Sequence, residues 1–162
     1  MTDNLLDYKR VLLVDDEPDV LDTLEEELSM CDVVKAQTFE EAKEFLETQY
    51  FDIAVLDIMG VNGYRLLEIA GEKGVLAVML TAHALSPEDT VKSFKEGAAL
   101  YVPKDKLTDM PTYLNDVLEA REQGKKVWWR WIDRFGAYYN KKFGANWRKV
   151  DEDFWKNFGA WQ

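Results

Sequence analysis

Residues 53–57, Ile-Ala-Val-Leu-Asp, form an apolar run that stops on a carboxylate. Four apolar residues in a row fit a parallel strand buried on both faces, and open α/β sheets place their sites at the carboxyl edge. Asp57 is thereby delivered to that edge. A second run, VLLVDDE at 11–17, ends in the same way on Asp15 and Asp16. Two strand ends then bring three carboxylates towards one point, which is costly unless a cation sits among them.

The flanking sequence supplies the rest of such a fold. RVLLV (10–14) is followed by Pro18, suited to a first helical position, and by Val20, Leu21, Leu24 and Leu28 at helical spacing. DVVKA (32–36) predicts a short strand, and Thr38 with Glu41 three residues on predicts a capped helix carrying Phe39, Ala42, Phe45 and Leu46. Beyond IAVLD, Gly60 and Gly63 mark a tight loop. A short helix with Leu66, Leu67 and Ile69 follows, closed by GEKG (71–74). VLAVML (75–80) predicts a fourth buried strand running into Thr81, and SPED (86–89) starts a helix with Val91 and Phe94 that ends at Gly97. ALYVP (99–103) is a short fifth strand leading to Lys104. Five strands alternating with five helices imply a parallel sheet covered on both faces.

Asp15, Asp16 and Asp57 offer hard oxygen ligands, which suit Mg²⁺ better than zinc or copper. Thr81 and Lys104, each at the end of another strand, can place a hydroxyl and an ammonium nearby. A metal, a hydroxyl and an ammonium around one carboxylate suit a transferred phosphoryl group, whose oxygens carry charge that must be neutralised. Asp57 would be the nucleophile, forming an aspartyl phosphate.

With 162 residues and 47% hydrophobic content, the chain can hold one domain of ordinary size plus an appendage. Residues 1–120 carry 10 Lys and Arg against 26 Asp and Glu, and residues 121–162 carry 10 against 5, a net of −16 followed by +5. That change of sign predicts a boundary near residue 120, with a core domain at 8–120 and a tail at 121–162. The acidic part argues against direct contact with nucleic acid. Cys31 is the only cysteine, so no intrachain disulfide is expected. The N-terminus has no apolar signal segment and no run approaches a membrane span, so a cytoplasmic location is the default expectation.

In the order VLLVDDEPDVLDTLEEEL, IAVLDIMGVNG, VMLTA and YVPKD, the chain resembles the receiver domain of two-component response regulators over about residues 8–120. The resemblance implies a flavodoxin-like, doubly wound sheet in strand order 2-1-3-4-5. It implies a phosphoacceptor at Asp57, and Mg²⁺ held by Asp15, Asp16, Asp57 and the backbone carbonyl of Met59. Phosphate contacts would come from Thr81 and Lys104, and an aromatic switch from Tyr101. The implied donor is a phosphohistidine on a partner histidine kinase or phosphotransfer protein, and the implied output is a change of protein contacts. A homodimer through the fourth helix, fifth strand and fifth helix, or through the tail, is a further implied partner. The chain departs from the family pattern twice: IMGVNG is about two residues short after Asp57, and Lys104 follows Pro103 and precedes Asp105, where the family places a proline. His83 reads as a loop residue near the site. The rival reading is a phosphatase of the haloacid-dehalogenase type, which needs a second Asp two residues after the nucleophile. Here that position is Met59, so no enzyme is expected beyond self-phosphorylation and autodephosphorylation.

All six tryptophans lie in the tail, at 128, 129, 131, 147, 155 and 161. Trp128, Trp131, Ile132, Phe135, Tyr138 or Tyr139, and Phe143 sit at helical spacing, with Gly144 as a natural stop. The fifth helix can continue into this segment, with Gly124 and Gly136 as its weak points. FGA recurs at 135, 143 and 158 as a weak internal repeat. Three uses compete: packing on the chain's own acidic domain or on a second copy, docking to another protein through Trp and Arg anchors, or contact with nucleic acid or an anionic membrane surface. The last ranks lowest, because +5 over 42 residues is modest, so no DNA binding is expected.

Overall fold

The computed structural model describes residues 5–81, 87–124, 128–149 and 151–157. His83, the Ser86 helix start, Phe158, Trp161 and the side chains of Trp128, Trp129 and Ile132 lie outside the described part. Five parallel strands form one sheet in the order β2-β1-β3-β4-β5, as the resemblance implied. They are β1 (Arg10–Val14), β2 (Asp32–Ala36), β3 (Ile53–Asp57), β4 (Leu76–Thr81) and β5 (Leu100–Pro103). All of β3 and all but one residue of β4 are buried, whereas only Ala36 of the edge strand β2 is, and Asp32 and Lys35 of that strand are exposed. Helices α1 (Pro18–Glu27), α2 (Phe39–Thr48), α3 (Gly63–Glu72) and α4 (Pro87–Lys95) fill the four crossovers, and α5 (Met110–Glu122) follows β5. Helix α1 packs against α5, and α2 packs against α3. Right-handed crossovers put these two pairs on opposite faces of the sheet.

Local signals act as the sequence implies. Pro18 opens α1, and the Thr38 hydroxyl oxygen accepts from the Glu41 amide at 3.2 Å while a Glu41 carboxylate oxygen accepts from the Gln37 amide at 3.0 Å. Register brings the carboxyl ends together: Leu13 lies beside Val55, Asp57 beside Leu80, and Thr81 beside Pro103. Asp15, Asp57, Thr81 and Lys104 therefore leave neighbouring strands at one edge.

The continuous fifth helix does not form. Helix α5 ends at Glu122, and Gly124 takes a left-handed φ of 67°, a conformation that turns the chain out of a helix. Helix α6 (Trp128–Phe143) then starts anew and tolerates Gly136, which is buried within it. Gly144, with φ of 83° and its amide bonded to the Asn140 carbonyl, ends α6 as the sequence predicts. A single turn at Trp147–Lys149 and the short α7 (Glu152–Asn157) complete the described chain. The tail does not stand apart from the core: Trp131, Phe135, Tyr139, Trp147 and Trp155 are buried in one cluster with the apolar residues of the sheet and its helices.

Candidate functional site

Lys104 is the hub of the sheet edge. Its ammonium is ion-paired with Asp15 Oδ2 at 2.8 Å, donates to Glu17 Oε1 at 3.0 Å, and lies 3.4 Å from Asp57 Oδ1. The second Asp57 oxygen, Oδ2, accepts from the Gly60 amide at 3.1 Å. Asp15 Oδ1 accepts from the Glu17 amide at 2.9 Å, which ties the carboxylate to the turn leading into α1. Asp15 and Asp57 are buried and Asp16 is exposed beside them. Thr81 is buried at the end of the adjacent strand.

The loop after Asp57 is built around two close approaches. A methylene on Gly60 would stand 2.4 Å from Asp16 Oδ1, so the carboxylate rests directly on that backbone. A methylene on Gly63 would stand 2.3 Å from the Asp57 carbonyl oxygen, so α3 starts against the end of β3. At Gly63 the obstacle is backbone and only glycine fits, whereas at Gly60 a side chain would have to push the exposed Asp16 carboxylate aside. Asn62 accommodates the shortened path with a left-handed φ of 55°. The Met59 side chain points to solvent.

Burial raises the carboxyls of both Asp15 and Asp57 above the ordinary carboxylate range, with Lys104 pulling the other way. Burial works against the charge on Lys104. The carboxylates of Asp15, Glu17 and Asp57 outweigh it and hold the ammonium protonated well above the ordinary lysine range. One cation shared by buried acids is a pre-set electrostatic frame for a further anion and a further cation.

Asp15, Asp16 and Glu17 each offer a carboxylate oxygen within 4.8 Å of the others. Such an all-oxygen set fits a hard divalent ion. Asp57 stays with Lys104 and is not one of this trio. Glu17 is the residue that sequence reading passed over. It stands last in the run VLLVDDE, and only the approach of Lys104, 87 residues further on, reveals its place. Tyr101 does not join the edge cluster. Its ring is fully buried on β5 under α6, and burial pushes its hydroxyl far above the ordinary tyrosine range.

The family model for the response regulator receiver domain matches residues 11–115. A curated relative, the two-component response regulator ARR18 of Arabidopsis thaliana, is 36% identical over 101 residues, which cover 59% of this chain. The matched part is 16% of that relative's length. Among solved structures, the chain is similar to a CheY-like receiver domain protein from Methanospirillum hungatei JF-1. The two share 29% identity and a TM-score of 0.65, over 72% of this chain and 98% of that one. It is also similar to the response regulator DrrB of Thermotoga maritima, an OmpR/PhoB homolog, at 27% identity and a TM-score of 0.60, over 74% and 55% of the two chains. A sheet in the order 2-1-3-4-5, acids at its carboxyl edge and a family match across well over half of the sequence converge, and the chain belongs to the response regulator receiver family of two-component signalling.

Proposed function

We propose that this chain is a phosphorylation-controlled receiver that accepts a phosphoryl group on Asp57 and answers with a change of protein contacts. The observation that carries this reading is Lys104 Nζ standing 3.4 Å from Asp57 Oδ1 and 2.8 Å from Asp15 Oδ2. An Asp57 oxygen forms the new bond to phosphorus as the phosphorus–nitrogen bond of a partner's phosphohistidine breaks. The bonding pair returns to the imidazole, which then holds it as a neutral or protonated ring. Lys104 and the Gly60 amide are placed to share the negative charge, and Thr81 supplies a hydroxyl from the adjacent strand. Mg²⁺ held by Asp15, Asp16, Asp57 and the Met59 carbonyl would neutralise phosphoryl oxygens and let the acids coexist. Glu17 is a fourth carboxylate within reach of that set.

The donor class is a histidine kinase or phosphotransfer protein, and a cytoplasmic location goes with it. Among the described residues, no helix is long and apolar enough to cross a membrane. Met59 in place of a second aspartate supports a phosphoacceptor over a phosphatase of small substrates. Burial of Trp131, Trp147 and Trp155 supports packing, and not stacking on bases, as the work of those indoles.

The test is intact mass spectrometry after incubation with acetyl phosphate and Mg²⁺. One phosphoryl increment on the wild-type chain and none on Asp57→Ala is expected. Equal labelling of both, or of neither, overturns the assignment.

A further inference from the structure

The face made by α4, β5 and α5 is occupied by the chain's own tail. Trp131 is fully buried and its indole Nε1 donates to the Tyr101 carbonyl at 2.8 Å. Its ring meets Phe94 of α4 edge-on at 5.6 Å. One turn on, Phe135 packs on Tyr113 of α5 at 5.0 Å, and a further turn on, the Tyr139 hydroxyl shares a 2.6 Å hydrogen bond with Thr90 of α4. The rim is polar and of opposite charge. Arg134 forks onto Asp116 of α5 at 2.5 and 3.1 Å, and the Tyr138 hydroxyl donates to Asp105 at 3.0 Å. Asp105 is the residue directly after Lys104, where the family pattern has a proline. An apolar centre with a charged rim is how a stable interface is built.

Tyr101 lies inside this arrangement. Its ring is wholly buried, and its hydroxyl lies beside those of Thr90 and Tyr139. The covering helix lies against this strand: Trp131 bonds the Tyr101 carbonyl, and the Tyr139 hydroxyl stands beside the phenol. A buried Tyr101 and a docked tail occur together here, and Lys104 stands three residues after Tyr101 in the chain.

We infer that Trp131 and Tyr139 are positioning residues, through which the docked tail holds Tyr101 inward and favours phosphoryl binding at Asp57. The inference rests on the phosphoacceptor reading above. By linkage, a group at Asp57 that prefers inward Tyr101 must tighten the tail, and the tail must raise affinity for that group by the same factor. While docked, the tail also shuts the face through which a second copy could pair, so its occupant is α6 and not a dimer partner.

The experiment uses the full chain with beryllofluoride and Mg²⁺ as the phosphoryl mimic. Fluorine NMR reads mimic binding, and hydrogen exchange reads the amides of residues 128–143. The mimic is expected to slow exchange in α6, and Tyr139→Phe and Trp131→Leu are expected to weaken mimic affinity about five- to tenfold. A purely structural role would lower the unfolding midpoint and leave mimic affinity unchanged. Should Trp131→Leu fail to fold, Tyr139→Phe, which loses a single oxygen, carries the affinity measurement. Mimic binding with unchanged α6 exchange and wild-type affinity in the variants overturns the coupling and leaves Asp57 as acceptor. No mimic binding by the wild-type chain overturns both.

Discussion

Lys104 and Tyr101 stand three residues apart at the end of one strand, yet they belong to sites built in opposite ways. Around Lys104, charges are gathered and set against one another, with the carboxylates of Asp15, Glu17 and Asp57 facing one ammonium. Around Tyr101, aromatic rings close over a strand, so the site is satisfied within the chain. The first is stabilised by pairing and the second by exclusion of water. The difference teaches that an electrostatic site breaks when one charge is removed, whereas an aromatic cap weakens in proportion to the surface lost.

The largest expected effect is chemical. Asp57→Asn should abolish phosphoryl incorporation from acetyl phosphate, measured by intact mass, while leaving the tail docked by hydrogen exchange. Next comes the cap: Trp131→Ala should destabilise the fold by about 3–5 kcal/mol in denaturant titration, because a fully buried indole leaves a cavity. Lys104→Met should cost about 3 kcal/mol in metal-free buffer at neutral pH, because Asp15 and Asp57 are then buried without their cation. Added Mg²⁺ should return part of that loss, which no cap variant would show. Arg134→Ala at the rim should cost about 1–2 kcal/mol, since Arg134 is partly open to water while its partner Asp116 is buried.

The smallest effect is a gain, and it has a sign that can be worked out. Burial raises the Asp57 carboxyl, so the folded chain holds that proton more tightly than the unfolded chain does. The penalty for its charge is fully present above the raised value and is relieved as pH falls through it. Asp57→Asn should therefore raise the unfolding midpoint at pH 7 in metal-free buffer, and the gain should vanish near pH 4, where the unfolded carboxyl is itself about half protonated. A gain that stays constant with pH would assign it to packing and not to charge.

The two regions also differ in how much of them could be read in advance. IAVLD, VLLVDDE, VMLTA and YVPKD each place a functional group at a strand end, because a buried strand shows as an unbroken apolar run and its end as the first polar residue. Thr38 with Glu41, and Gly144 after the two lysines, are equally local signals and did what their types imply. Glu17 was not readable in this way, since its partner lies far along the chain. Nor were the contacts of Gly60 with Asp16 and of Gly63 with the Asp57 carbonyl, where only the fold shows what a side chain would strike. Gly124 was seen as a weak point, but whether a helix passes through a glycine or turns there depends on what the following residues can cover.

The sequence alone determined a parallel sheet with Asp15, Asp57, Thr81 and Lys104 at strand ends, and an amphipathic aromatic stripe in the tail. These follow from periodicity and from residue types that act within a few positions of themselves. Only the tertiary structure decided that the stripe lies on α4, β5 and α5, that Trp131 bonds the Tyr101 carbonyl, and that Asp105 is engaged by Tyr138. An apolar stripe records that a surface must be covered; which surface covers it is settled by shape and charge brought together from distant parts of the chain.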